Sequence, residues 1–65
     1  KIKDKVSLLA ISYYNLGTQF EFLKKYKECL LFFWKAIEVL EIHFDMTYPL
    51  LNQFRNGLST AIEKY

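Results

Sequence analysis

Gly17 stands in the middle of a run otherwise suited to an α-helix. Val6, Leu9, Ala10, Tyr13, Leu16, Gly17 and Phe20 recur at intervals of three and four residues, which places them on one helix face. A glycine inside a helix costs about 1 kcal/mol against alanine, so its presence on the inward stripe calls for a physical reason. The reason is missing volume: a glycine lets a facing side chain or backbone come close. Cys29, Phe33 and Ala36 supply the matching surface, small, large and small on one face of a second helix. Two helices packed closely around Gly17 are therefore expected.

The same spacing sets the element boundaries. A first helix is predicted from about residue 4 to 23, a second from 27 to 43 and a third from 48 to 64. The short turn around Lys24 to Tyr26 makes the first two antiparallel. The second helix is apolar around most of its circumference, with Cys29, Phe33, Ala36 and Leu40 on one stripe and Leu30, Trp34, Ile37 and Glu41 on another. Such a helix needs cover on more than one side. Asp45 to Pro49 holds the only proline, which suits a first helical turn, and Thr47 is the expected N-cap. The third helix has one apolar stripe of Leu51, Phe54, Leu58, Ala61 and Tyr65, while Gln53, Asn56, Ser59 and Glu63 face away. Gly57 falls inside this pattern and is read as a helix-interior glycine. The fold class is all-α, and residues 1–65 form a single unit.

Tyr13, Leu16, Gly17, Phe20, Cys29, Phe33 and Ala36 together resemble the tetratricopeptide repeat (TPR), a helix-turn-helix with an aromatic, Leu-Gly, an aromatic, and then Ala, an aromatic and Ala. The resemblance spans residues 10–43. It departs at Glu41, where the family usually has proline, so the second helix is expected to run on and the period to lengthen to about 40 to 42 residues. The resemblance implies an antiparallel TPR unit followed by a third helix that either caps the array or opens a further repeat, the whole being a fragment of an α-solenoid and an excerpt of a longer chain. The seven matching residues are the expected repeat-packing set. TPRs expose their first helices on a concave surface. The groove side here would be Ile11, Tyr14, Asn15, Thr18, Glu21 and Phe22, a mixed stripe that, apart from Glu21, the spacing also marks as distinct from the core face. It suits an amphipathic helix or an extended peptide held by apolar anchors. Tyr14 stands where the family's peptide-carboxylate clamp has lysine, so that clamp is not expected.

The remaining composition narrows the function classes. A 65-residue chain buries only about 60% of the surface that its unfolded form exposes, so outside support is expected. Aromatic residues at 18% argue against disorder, and a net charge of +2 implies no strong polyelectrolyte partner. The lysines at 24, 25 and 27 read as a solvated turn, with nucleic-acid binding the weaker alternative. The single cysteine excludes an internal disulfide and a Cys-rich metal site. Cys29 reads as a small buried residue and His43 as a polar residue near a helix end. Glu41 and Asp45 flank His43, yet no nucleophile, base and orienting acid converge. The longest apolar run, Cys29 to Trp34, is far short of the roughly 20 residues a membrane span needs. Trp34 is expected to pack on a neighbouring repeat or chain.

These readings point to a non-catalytic protein-interaction or scaffold module with no cofactor, no metal and no small-molecule substrate. Its partner would be a protein helix or peptide segment. The competing reading is a purely structural solenoid unit buried among neighbouring repeats in a large assembly. The expected compartment is the cytoplasm. A codon-driven excess of Lys over Arg adds a ciliary axoneme as the kind of assembly to consider.

Overall fold

A computed structural model describes residues 2–65 as three α-helices, α1 (Ile2–Phe22), α2 (Tyr26–His43) and α3 (Pro49–Lys64), with no strand among the described residues. The all-α expectation holds. α1 begins earlier than the spacing suggested, at Ile2, and Tyr26 lies in the first turn of α2 rather than in the loop.

The α1–α2 turn closes through backbone hydrogen bonds. Lys25 N–H donates to the Phe20 carbonyl at 2.8 Å, and Lys24 N–H donates to the Glu21 carbonyl at 2.9 Å. This pair of bonds needs a left-handed residue after the helix, normally glycine. Lys24 takes that conformation, with φ at 62°.

As α1 runs from Phe20 back to Val6, its neighbours on α2 run from Phe32 forward to Leu40, so the two helices are antiparallel. α3 returns along α2, with Leu51 and Phe54 near Ile37 and Leu40, and Ala61 near Cys29 and Phe33. Two buried groups result. Val6, Ala10, Ala36, Ile37, Leu40, Leu51 and Phe54 form the larger, and Cys29, Phe33 and Ala61 the smaller. Tyr14 and Leu58 pack against both. Fully burying residues such as Leu40 and Leu51 stabilises by about 1.5–3 kcal/mol each.

Gly17 sits as its sequence position required. A Cβ built there would lie 2.5 Å from Phe33 Cδ1 and 3.2 Å from the Cys29 carbonyl oxygen. Gly57 is likewise interior to α3, and a Cβ there would collide with the Tyr14 hydroxyl.

Three expectations are corrected. Leu9 and Leu16, read as part of the inward stripe, remain 47% and 41% exposed. The covered arc of α1 centres on Ala10 and Gly17 and turns toward Tyr14, because α3 approaches from that side. Thr47 does not cap α3. Its backbone N–H and its hydroxyl both donate to Asp45 Oδ1, at 2.9 and 2.5 Å, and Tyr48 takes the N-cap place without a side-chain bond. Tyr65 lies off the core and stacks on Tyr26, with centroids 3.9 Å apart.

The α2–α3 linker folds back on the start of α1. Phe44 stacks on Tyr48 at 3.9 Å, the Ser7 and Tyr48 hydroxyls are 3.0 Å apart, and Lys3 Nζ lies 5.6 Å from the Phe44 ring centre.

Candidate functional site

α1 and α3 run in the same direction but touch at few places. Between their C-terminal halves lies a cleft of about 320 Å3. Tyr14, Thr18 and Glu21 line it from α1, and Asn56, Gly57, Thr60 and Lys64 line it from α3, with Phe33 and Ala61 also in the wall. The spacing that puts Tyr14, Thr18 and Glu21 on one side of α1 is the helical three-and-four rule. Asn56, Thr60 and Lys64 follow it on α3.

Tyr14 anchors the deep end. Its ring lies between Phe33, at 4.4 Å and 16°, and Phe54, at 4.2 Å and 5°. One helix supplies each of the three rings. Offset aromatic pairs of this kind contribute about 0.5–1.5 kcal/mol beyond area burial. Burial pushes the Tyr14 hydroxyl above its ordinary pKa, with the Glu21 charge adding to the shift. Burial also pushes the Cys29 thiol up, and Glu21 acts in the same direction, so Cys29 stays a protonated, apolar packing residue.

Glu21 closes the open end. Its Oε2 accepts a hydrogen bond from the Tyr65 hydroxyl and lies 3.7 Å from Lys64 Nζ. Donation to that carboxylate holds the Tyr65 phenol at about 12, above its ordinary 10.0, with desolvation and the Glu21 charge also raising it. Phe22, next in the chain, is 87% exposed. It borders a second shallow hollow with Thr18, Gln19 and Leu23.

The expected groove stripe is thus divided. Thr18 and Glu21 face the cleft, and the Thr18 hydroxyl donates to the Asn15 carbonyl at 2.7 Å. Ile11, Asn15 and Phe22 are exposed. Tyr14 is half-buried, stacked between Phe33 and Phe54 and lining the cleft. Of the expected packing set, Gly17, Cys29, Phe33 and Ala36 are buried, and Tyr13 and Phe20 flank Phe32 at 6.1 and 5.3 Å. Leu16 is the exception already noted. Reading the sequence missed Asn56, Thr60 and Lys64 as cleft residues; their spacing of four was the available signal.

Among the described residues no group of His, Cys, Asp and Glu is placed to hold a metal ion, and no helix is long and apolar enough to cross a membrane. His43 is exposed in the last turn of α2, and Lys24, Lys25 and Lys27 are exposed around the first turn. Comparison with protein-family models, curated proteins and solved structures gives no match.

Proposed function

We propose that this chain is a non-catalytic protein-interaction module of the TPR kind, which holds a partner helix or peptide segment against the C-terminal half of α1. Phe22 is the apolar anchor, Thr18 and Gln19 supply neutral polar groups in the same hollow, and Asn15 lies on the same stripe of α1. The observation that carries the reading is Phe22 itself. A phenylalanine 87% exposed in a shallow hollow that it lines with Thr18, Gln19 and Leu23 is an unspent anchor. The wedge of Phe33 into Gly17 supports the TPR resemblance, because the family's Leu-Gly and Ala positions serve such close packing. The positions separating Tyr14 from Phe54 are as many as those separating Gly17 from Gly57, which supports α3 as the opening helix of a further, long-period repeat.

The test is selection of amphipathic helical peptides against the chain, followed by titration with Phe22→Ala. Binding should fall at least about tenfold, as for an anchor residue. Melting should stay within about 0.5 kcal/mol, as for an exposed side chain. Tyr14→Ala is unsuitable, since it removes the middle ring of the stack. Selected peptides that bind the variant as tightly as the parent would refute the reading.

A second reading, a structural unit inside a larger solenoid, is favoured by Leu9 and Leu16. Both are helical neighbours on α1, seven residues apart, and stay 47% and 41% exposed. Under it, Leu9→Gln with Leu16→Gln would lower the isolated unit's stability far less than it disrupts an array that contains it.

A further inference from the structure

We propose that the outward face of α2 is the interface of a symmetric homodimer, pairing antiparallel with the same face of a second copy. This surface is separate from the α1 anchor above, and the inference does not depend on that reading. Cys29, Phe33, Ala36, Ile37 and Leu40 turn α2 inward. By helical spacing the opposite side carries Lys27, Leu31, Trp34 and Glu38, at intervals of four, three and four. Leu31 is 56% exposed and Trp34 52% exposed, at the centre of the seam, and they border a hollow of about 580 Å3. Two large apolar side chains so placed, between one charge of each sign, form a helix-pairing stripe without a partner.

The order of charges selects the occupant and its direction. Along α2 they read Lys27, Glu28, then Lys35, Glu38. An isologous two-fold pair brings residue i against residue j and j against i. Centred between Leu31 and Trp34, an antiparallel pair sets Leu31 on Trp34 of the second copy. Lys27 then meets Glu38, and on the flank Glu28 comes within two residues' rise, about 3 Å, of the level of Lys35. Parallel pairing would put each charge against its own kind. The wider surroundings agree, since the exposed Lys24 and Lys25 precede α2 while the exposed Asp45 lies past its far end. Among the described residues the ion pairs are Arg55 with Glu41 and Lys64 with Glu21, so Lys27, Glu28, Lys35 and Glu38 are uncommitted within one copy. A unit this small also gains from association what its own core does not supply.

Trp34 is the chain's single tryptophan and reports directly on the seam. Sedimentation equilibrium and tryptophan emission, followed over a dilution series from millimolar to sub-micromolar chain, test the proposal. The expected result is a monomer–dimer equilibrium whose dissociation shifts Trp34 emission to the red. Lys27→Glu or Glu38→Lys alone should raise the dissociation constant about tenfold, since each replaces two symmetric attractions by repulsions, while the double exchange returns it to within about twofold of the parent. Trp34→Ala should be monomeric with unchanged helicity, because that side chain is half in solvent. A chain that stays monomeric across the series, with emission unmoved, overturns the proposal and leaves the face to a different protein or a neighbouring repeat. A dimer indifferent to the single charge reversals, or not restored by the exchange, overturns it as well.

Discussion

The Phe33 ring occupies the space that a side chain at Gly17 would need, with Cδ1 and Cε1 2.5 and 2.6 Å from where a Cβ would stand. Behind that ring the Cys29 carbonyl oxygen, at 3.2 Å, is part of the α2 backbone and has little freedom to retreat. Gly17→Ala should therefore destabilise by about 1–3 kcal/mol, the usual cost of overpacking. That loss would appear despite the roughly 1 kcal/mol that alanine gains in helix propensity. Urea unfolding followed by far-ultraviolet circular dichroism measures it. A neutral or stabilised variant would mean that α1 and α2 are not held at the separation described.

Gly57 and Tyr14 form a second such pair, between α3 and α1. A Cβ at Gly57 would meet the Tyr14 hydroxyl and lie 3.1 Å from Cζ. Gly57→Ala should destabilise by about 1–3 kcal/mol. In a Tyr14→Phe background the same change should cost at least about 1 kcal/mol less, because the hydroxyl is gone. Additive effects in this double-mutant cycle would show that the two residues do not touch.

Lys24 carries a left-handed backbone, φ 62°, at the point where α1 hands over to α2. Glycine adopts that conformation without a Cβ penalty. Lys24→Gly should stabilise by about 0.5–1 kcal/mol, read as a higher urea midpoint at unchanged slope. Lys25→Gly, one residue on and outside the left-handed region, should not stabilise and serves as the control.

The bond from Tyr65 to Glu21 gives a pH dependence of definite sign. The folded-state pKa of Tyr65 is raised to about 12, above its ordinary 10.0. Its contribution is then fully present below pH 10 and is lost as pH rises through about 12. In a Tyr14→Phe background, which removes the other raised phenol, ultraviolet titration of tyrosinate should show one phenol ionising late, and Glu21→Gln should bring it earlier. If that substitution leaves the late titration in place, the hydrogen bond is not its cause.

The helices and the Gly17 contact were legible in the sequence because each depends on a local period plus one size match. Position 14 was not. It lies at the margin of the α1 stripe, and only the side from which α3 arrives decides whether Tyr14 is core or surface. The misreading of Leu16 has the same origin, on the opposite margin. Thr47 failed as a cap because Asp45, two residues earlier, takes both its hydroxyl and its N–H, a local competition that composition alone does not rank. Asn56, Thr60 and Lys64 were legible as a polar stripe, but a cleft belongs to two helices at once, and their relative placement is a tertiary fact.

The interleaving of Tyr14 between Phe33 and Phe54 has a spectroscopic corollary. Each flanking π-system generates a circulating current in a magnetic field, so the phenolic protons of Tyr14 are shielded from both sides and displaced far upfield of the other tyrosines. The Phe54 share of that displacement comes from α3. The resonance position of one side chain is therefore a gauge of how firmly the third helix is seated, residue by residue and without a label.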